Sequence, residues 1–406
     1  MTEAEEACPT HRNEQTKPTY SEEQVALDRS THNSLKVSED MNGTLKLAVV
    51  GVGALGRHHA RILSEMDGVE LIAVADPNEQ QGRTVAESCG CNWTNDYRTL
   101  MKSVDAVSVV VPTFLHKQVG GDFLSKDVPV LMEKPLAGNV EDGEALVRLA
   151  DEHAIPLQVG HIERFNPAFQ ELSEWTGEPK YIRTERVSPY AFRSMDIGVV
   201  HDLMIHDIEL CLSLTQEMPT RVEAFGASLV GGREDAVQAR LYFPNGCIAD
   251  LTVNRVSPSP SRNIQCWSET GCATADLTSR VVKKFSPTPM MQSGQFPFDL
   301  AQSGERTIDE LKSQVFGTFI EPQEVQASND DALTAELSSF IDAVRNRHRP
   351  VVNGRDALAA LRVAETVLEC VESHCWDGTT EGRVGPSALL NFYSADSADG
   401  SDSAAA

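Results

Sequence analysis

The chain has 406 residues, of which 41% are hydrophobic and 23% charged, and its formal net charge is −25. This length exceeds one ordinary core, so two domains are expected, and the composition excludes a collagen, a coiled coil and a fully disordered chain. Asp and Glu number 60 against 35 Lys and Arg, which argues against a general nucleic-acid binder, because phosphates would be repelled. An anionic substrate would therefore need a local basic pocket.

The ends of the chain and the cysteines predict a soluble cytoplasmic protein. No run of about 18 apolar residues is present, so no membrane segment is predicted. The acidic, polar N-terminus lacks the basic and apolar regions of a secretory signal. Nine cysteines without a repeated CxxC pattern suit a reducing compartment better than a disulfide framework, and we predict no metal site. Residues 1–43 and 391–406 carry few large apolar side chains and are predicted to be disordered tails.

Residues 44–162 alternate short apolar runs with amphipathic helical patterns. The predicted strands are LKLAVVG, ELIAVAD, AVSVVVP, VPVLMEKP and PLQVG, and helices such as ALGRHHARILSEM lie between them. Nearly continuous apolar strands are typical of a parallel sheet covered on both faces. This segment is predicted to be a doubly wound α/β dinucleotide-binding domain of the Rossmann type.

Residues 163–390 are predicted to form an α+β substrate and oligomerisation domain with a large open, mostly antiparallel sheet. One or two helices are followed by alternating strands such as RVEAFGASLV, DAVQARLYF and CIADLTVNRVS. Turns at Gly231-Gly232 and Pro244-Asn245-Gly246 predict hairpins. Residues 286–304 are rich in Pro, Ser, Gly and Met and are predicted to be a loop. Two helical patterns, DALTAELSSFIDAVRNR and GRDALAALRVAETVLECVESH, close the domain.

A glycine-rich turn follows the first strand and opens the first helix. Its predicted cofactor contacts are Gly51, Gly53, Ala54, Leu55 and Gly56. The pattern is weak alone, but a preceding strand and a following helix are the context in which it binds a pyrophosphate. Asp76 lies twenty residues after Gly56 at the end of the second strand, where a carboxylate can bind the ribose hydroxyls and repel a 2′-phosphate. NAD is therefore predicted in preference to NADP.

Two further motifs follow strands at the same carboxyl edge of the predicted sheet, where ligands collect. Pro112, Thr113 and His116 follow the strand AVSVVV, and Glu133 and Lys134 follow VPVLM. A charged pair that ends an apolar strand would be costly to bury without partners, so it should face a polar cleft. We predict that all five residues contact the cofactor. A solvated strand end is the alternative for the Glu-Lys pair.

Asp202 and His206 stand four residues apart on a predicted helix and so share one face. An Asp with a His is an arrangement that suits a general base. A metal site is the competing interpretation, because His201 and Asp207 lie in the same short segment, although His201 and His206 diverge around the helix. An ordinary charged helix surface is the third possibility.

The ordered motifs GVGALGRHHARIL, VADPN, VPTFLH, EKPLAG and DLMIHDIEL resemble those of the glucose-fructose oxidoreductase, inositol dehydrogenase and MocA family over residues 45–372. Within the family the chain most resembles bacterial UDP-N-acetylglucosamine 3-dehydrogenases, through GHIERFNPAF and NGCIADLTVNRVS. The resemblance implies an NAD-dependent sugar dehydrogenase with Lys134, Asp202 and His206 as its catalytic set. His201 departs from the less polar residue expected there.

A UDP-sugar would bring a diphosphate into an acidic protein, so cations should line the cleft. Arg164 and Arg193 are predicted to hold the diphosphate, because a guanidinium binds phosphate oxygens in a bidentate manner. Asn166 and Tyr190, in the same two motifs, complete the predicted substrate set. In the alternative, each arginine forms a structural bridge with a nearby Glu.

Other functions and assemblies stay open at this point. A dehydrogenase of inositols or free sugars is the alternative within the same class, and a non-catalytic, cofactor-sensing regulator is the alternative outside it. The three catalytic candidates are all present, which argues against the regulator. Because an open sheet commonly needs cover, a homodimer or homotetramer is expected, with neither nucleic acid nor membrane as a partner.

Overall fold

The structure is a computed structural model that describes residues 43–192, 197–230, 232–379 and 382–390. The predicted tails, apart from Gly43, lie outside these residues. The same holds for Arg193 and Gly231. The chain forms two sheets, one of six strands and one of eight.

The first sheet is parallel throughout and has the strand order β3-β2-β1-β4-β5-β6. Its strands are β1 (Leu45–Val50), β2 (Val69–Ala75), β3 (Asn92–Thr94), β4 (Ala106–Val109), β5 (Val130–Glu133) and β6 (Leu157–Gly160). The helices between them are α1 (Gly56–Glu65), α2 (Glu79–Cys89), α3 (His116–Leu124) and α4 (Val140–His153). The predicted doubly wound sheet and its five apolar strands are confirmed. The strand β3 was not predicted, because its three residues contain no apolar run.

The second sheet has the order β14-β13-β12-β11-β7-β10-β9-β8, and only the β7–β10 pair is parallel among the pairs described. Its strands are β7 (Pro179–Val187), β8 (Arg221–Ala227), β9 (Ala236–Tyr242), β10 (Ile248–Asn254), β11 (Ser261–Ser268), β12 (Gly271–Asp276), β13 (Val281–Pro287) and β14 (Ile320–Gln326). The predicted mostly antiparallel sheet is confirmed. Its central strand β7 was not predicted, because its many charged residues hide the alternation of buried and exposed positions.

Four longer helices connect or cover the sheets: α5 (Pro167–Thr176), α6 (Ile205–Thr215), and, after three short helices, α10 (Ala332–Asn346) and α11 (Gly354–Ser373). Short 3₁₀ turns occur at Tyr97–Leu100, Thr113–Leu115, Ile162–Phe165 and Pro386–Ala388. Leu337 and Phe340 of α10 pack in one core with Leu47 of the first sheet, so the chain returns to that sheet late in the sequence. The division at residues 162 and 163 stays a prediction.

The predicted loop at residues 286–304 is wrong. The end of β13 is followed there by the short helices α7 (Pro289–Gln292) and α8 (Pro297–Ser303), and α9 (Ile308–Gln314) comes next. Each of the first two begins with a proline, whose missing N–H is no loss in the first helical turn and whose fixed φ favours it. The prolines that indicated a loop instead begin helices.

None of the helices in the described part of the chain has both the length and the apolarity needed to cross a lipid bilayer.

Candidate active site

A cavity of about 990 Å³ lies between the carboxyl edge of the first sheet and the second sheet. The glycine turn, Asp76 and the loop after β4 form its first wall, and Arg186, Arg262 and His206 contribute to the opposite wall. Lys134 and Asp202 line it between these walls. The cavity therefore joins the predicted cofactor and catalytic residues in one space.

The glycine turn is built so that only some of its positions face the cavity. Gly51 has φ +83°, and a Cβ there would collide with the carbonyl oxygen of Val110. A Cβ at Gly56 would collide with the carbonyl oxygen of Gly51. A Cβ at Gly53 would meet nothing within 4 Å, and Gly53 lines the cavity. Gly51 and Gly56 thus permit the turn, while Gly53 leaves its backbone open to a ligand.

Asp76 lines the cavity and also holds the turn. Its carboxylate accepts hydrogen bonds from Val52 N at 2.9 Å, Asn78 N at 2.8 Å and Gln81 Nε2 at 3.3 Å. Ala54 and Leu55 line the cavity beside it. Gly51, Gly53, Ala54, Leu55 and Asp76 thus all line the cavity, as predicted residues of one site. Gly56 does not line the cavity, and it contributes by permitting the close packing of the turn.

The loop after β4 contributes Pro112 and Thr113 to the cavity, but it does not contribute His116. His116 is buried, and its ring nitrogens lie 2.9 Å from Pro135 O and 3.0 Å from Val111 O. Burial lowers the pKa of the ring despite both carbonyl oxygens. The structure does not bring His116 to the cavity lining with the other predicted cofactor residues: its side chain ties together the two loops that border the cavity.

Glu133 lines the cavity and belongs to a mostly buried polar chain. Its Oε2 accepts a hydrogen bond from Lys134 N at 3.1 Å, and its Oε1 lies 3.2 Å from His59 Nε2. The other His59 nitrogen lies 2.9 Å from Ser108 Oγ. Burial would raise the pKa of Glu133, but hydrogen bonding to His59 and the charges of His59 and Lys134 outweigh burial and lower it. The lowered pKa favours the ionised form of the Glu133 carboxylate at the cavity lining.

A second carboxyl group, Glu336 of α10, lies within electrostatic range of Glu133. Its side chain is fully buried, and neither oxygen has a hydrogen-bond partner among the described residues. Burial, and then the charge of Glu133, raise the pKa of Glu336 well above its usual value. Burial therefore favours the neutral form of the Glu336 carboxyl group.

Lys134 reaches from the end of β5 to the segment before α6. Its Nζ donates a hydrogen bond to the backbone oxygen of Asp202 at 2.8 Å and lies 3.5 Å from Asp202 Oδ1. The side chains of Lys134 and Asp202 are only 16% and 18% exposed. Burial lowers the pKa of Lys134, although the charges of Asp202 and Glu133 oppose this effect. Asp202 therefore orients the amine, whereas the sequence had paired it with an imidazole or the substrate.

His206 lines the cavity from the first turn of α6, and its Nδ1 has no hydrogen-bond partner in the described part of the protein. Burial, followed by the charges of Lys134 and Arg186, lowers its pKa well below the usual value. The ring of His161, whose pKa burial lowers to about 3, packs edge-on against it at 6.3 Å. His206 is a neutral imidazole with a free nitrogen, which suits a proton acceptor.

The helix that carries these residues begins with a π turn at Val200–Met204, where Ile205 N bonds to Val200 O. A π turn holds one residue more than an α turn and is frequent at functional sites. His201 Nε2 faces α11 and lies 3.0 Å from Glu365 Oε1, so the unexpected histidine is outside the cavity lining. Asp207 faces Arg186. No group of three metal-ligating side chains occurs in the described residues, so the geometry does not favour the alternative of a metal site.

Three predicted substrate residues do not line the cavity. Arg164 Nη1 bonds to Glu209 Oε1 at 2.6 Å, which is the structural bridge named above as the alternative. Asn166 begins α5 and accepts a hydrogen bond from Ala168 N at 3.0 Å. Tyr190 packs against another aromatic ring outside the cavity. Arg193 lies outside the described residues.

Two segments of the chain each match a described family model. Residues 45–161 match the oxidoreductase family with an NAD-binding Rossmann fold, and residues 173–274 match the GFO/IDH/MocA C-terminal domain. The UDP-N-acetylglucosamine 3-dehydrogenase of Acidithiobacillus ferrooxidans is 32% identical over 330 residues, which are 80% of this chain and 97% of that protein. The chain belongs to the GFO/IDH/MocA family of oxidoreductases.

A solved structure and a second relative of this GFO/IDH/MocA enzyme are also similar to it over most of the chain. A solved structure of the same Acidithiobacillus ferrooxidans enzyme is similar with a TM-score of 0.71 at 30% identity, covering 80% of this chain and 97% of that chain. The scyllo-inositol 2-dehydrogenase (NAD(+)) of Bacillus subtilis is 25% identical over 80% of this chain and 93% of that protein. The family and the fold predicted from the motifs are confirmed, and the protein is an enzyme with an NAD-binding domain.

Two arginines of this GFO/IDH/MocA enzyme line the cavity but were not predicted. Arg186 ends β7 and donates to Glu163 Oε1 at 2.8 Å and to Asp207 Oδ1 at 2.8 Å. Arg262 begins β11 and lies beside it. In the folded strand β7 Arg186 lies on the same buried face as Ile182, but the charged residues of β7 hide this alternation in the sequence.

Proposed function

We propose that the protein oxidises the 3-hydroxyl of UDP-N-acetylglucosamine to a ketone with NAD as the hydride acceptor, a step in the synthesis of a 3-amino lipid A precursor. The observation that carries this proposal is the convergence of Lys134, Asp202 and His206 on the cavity that the glycine turn also lines. The similarity to the Acidithiobacillus ferrooxidans enzyme over most of both chains supports the choice of sugar. NAD, when bound, supplies a hydride acceptor to this cavity.

The first wall of the cavity fits a dinucleotide. Gly53 leaves open space beside its backbone, and the N-terminus of α1 favours an anion there. Asp76 can accept hydrogen bonds from ribose hydroxyls and would repel a 2′-phosphate. Arg83, the nearest candidate to attract that phosphate, bonds to Glu79 at 2.8 Å and lies over the ring of Trp93 at 4.5 Å. These contacts support NAD in preference to NADP.

The second part of the site handles the proton. His206 lines the cavity, and its neutral ring accepts the hydroxyl proton as hydride leaves the sugar carbon. Lys134, held by Asp202, donates a hydrogen bond to the reacting oxygen and stabilises its alkoxide character. The low exposure of Lys134 and its partner Asp202 strengthens the interaction of the ammonium group with that oxygen.

A dehydrogenase of inositols or free sugars is the second candidate, because the Bacillus subtilis relative covers the chain almost as fully. The regulator without catalysis has no such support, since the three catalytic candidates all line the cavity. The decisive experiment measures NADH formation by the purified protein with UDP-N-acetylglucosamine, N-acetylglucosamine and myo-inositol. We expect the nucleotide sugar to have the highest kcat/KM and its product, reduced with borodeuteride, to carry deuterium at C3. A higher kcat/KM for inositol would contradict the proposal.

We further propose a homodimer or homotetramer formed through the outer face of the second sheet. That face carries polar side chains such as Arg183, Gln265 and Lys283 around a second cavity of about 680 Å³. Sedimentation at micromolar concentration tests this proposal, and a monomer alone would contradict it. The cytoplasmic location stays a prediction.

A further inference from the structure

The cations of the cavity differ in how far their donors are already engaged. Three lysine or arginine side chains line it in the described part of the chain: Lys134, Arg186 and Arg262. Lys134 is held by Asp202, and the guanidinium of Arg186 is only 4% exposed and bonded to two carboxylates. Arg262 is 50% exposed, and no hydrogen bond joins its guanidinium to any residue that the structure describes. Arg262 is therefore the cation with donors to offer to a ligand.

The carboxylate closest to Arg262 is already in use. Arg262 Nη1 lies 3.7 Å from Glu163 Oε1, beyond hydrogen-bond distance. Arg186 Nη1 occupies the same oxygen at 2.8 Å, and Asn166 Nδ2 occupies Glu163 Oε2 at 3.0 Å. The Glu163 carboxylate thus faces two guanidinium groups, and it interacts more closely with Arg186 than with Arg262. The positive charge of Arg262 is left poorly compensated.

The strand register makes this arrangement costly unless an anion binds. Arg262 of β11 pairs directly with Arg186 of β7, and like charges in directly opposed positions are destabilising. Both lie on the inner face, since the alternate positions Ile264 and Ile182 on the two strands belong to the core. At this end of the sheet the inner face therefore changes from apolar side chains to two opposed cations that line the cavity.

We infer that Arg262, supported from behind by Arg186, binds the diphosphate of a nucleotide-sugar substrate and so determines the substrate class. The inference rests on the proposed function. Arg262 and His206 line the same cavity. The diphosphate of a UDP-sugar is attached at C1 of the ring that carries the 3-hydroxyl, so its anion site must share one cavity with the base. Arg262 meets this requirement, whereas Arg164 is bonded to Glu209 outside the cavity lining.

The test compares Arg262→Gln and Arg262→Lys with the wild-type enzyme. Phosphate contacts made equally in the ground and transition states affect KM and leave kcat nearly constant. We expect Arg262→Gln to raise KM for UDP-N-acetylglucosamine by about 10- to 100-fold, with kcat within about threefold, and Arg262→Lys to show an intermediate KM. Arg61→Gln, which removes an exposed arginine on α1, is the charge-matched control and should keep the wild-type KM. Equal NADH affinity of the variants checks that they fold.

UDP alone separates this inference from the proposed function. Calorimetry measures UDP binding to the NADH-bound protein, and we expect Arg262→Gln to weaken it by the same factor as KM. Unchanged KM and UDP affinity in Arg262→Gln would overturn the inference and leave the proposed function standing. If no UDP-sugar is oxidised but UDP binds through Arg262, the inference stands and the proposed function fails. Absence of UDP binding to the wild-type protein would overturn the diphosphate assignment. The assignment would also be overturned if Arg262→Gln lost affinity only for a sugar acid that carries no nucleotide.

Discussion

The two walls of the cavity differ in the chemical groups that they present to a ligand. The cofactor wall presents backbone from the glycine turn and one carboxylate, Asp76, which itself bonds to that turn. The opposite wall and the cavity centre present charged side chains that meet across the fold, such as Lys134 with Asp202, which lie 68 residues apart. A site made of backbone depends on chain conformation, whereas a site made of paired charges depends on each side chain. Substitutions should therefore affect the two walls in different ways.

The largest effect is expected in the charged part of the site. Lys134→Met and His206→Ala each remove a group that acts on the reacting hydroxyl, so kcat should fall by roughly 10²- to 10⁴-fold. NADH formation with the nucleotide sugar measures this loss, and the NAD affinity of His206→Ala should stay near the wild-type value. Unchanged turnover of every tested sugar by both variants would contradict the catalytic assignment.

The cofactor wall should respond to a change of backbone fit. Gly51→Ala places a Cβ against the carbonyl oxygen of Val110 and should weaken NAD binding at least about tenfold. Gly90→Ala is the matched control, because Gly90 also has positive φ but a Cβ there meets nothing within 4 Å. The control should lose about 1 kcal/mol of stability and keep its NAD affinity. Titration of NADH fluorescence measures both variants, and equal effects on affinity would contradict the argument.

Cofactor choice tests the one charged group of the backbone wall. We expect kcat/KM with NAD to exceed that with NADP by at least about tenfold, which corresponds to roughly 1.4 kcal/mol. Asp76 supplies the repulsion, and Arg83 is held by Glu79 and Trp93. Steady-state kinetics with the two cofactors decides the matter. Comparable efficiencies would indicate that Arg83 leaves its partners to bind the 2′-phosphate.

The smallest effect concerns the buried acid below the cofactor wall. The pKa of Glu336 is raised on folding, so its contribution to stability is complete below the unfolded pKa and is lost as pH rises toward the folded pKa. Glu336→Gln removes this pH dependence and should be more stable than the wild type at pH 8, with a smaller difference at pH 5. Urea unfolding at both pH values measures it. Glu324→Gln, at an exposed carboxylate, should show no such gain, and an equal gain there would contradict the prediction.

The sequence predicted the backbone wall well because its signals are local. The glycine turn, Asp76 and the ends of the parallel strands can be recognised within short segments, and the sheet places them at one edge. The motifs also named Lys134, Asp202 and His206, which all line the cavity. The partner of Asp202 was not predictable, since contact with Lys134 depends on how two distant segments pack.

The arginines around the opposite wall could not be assigned from short segments. The role of Arg164 depends on Glu209, 45 residues away, and nothing near Arg164 in the sequence distinguishes a buried bridge from a ligand contact. Arg186 and Arg262 become neighbours only when β7 is placed beside β11. Because β7 was not predicted, neither arginine could be assigned to the cavity.

The π turn at Val200–Met204 makes the site sensitive to chain length. Removing one residue between Asp202 and His206 would restore an α turn without breaking the helix. Asp202 would then rotate by roughly 100° relative to His206. This rotation would move its backbone oxygen away from the Lys134 ammonium group, from which it now accepts a hydrogen bond. Scanning by substitution would never reveal this dependence, because each single replacement preserves the number of residues. Among homologous chains, a gap of one position in this turn should mark proteins that have lost the dehydrogenase reaction while keeping the fold.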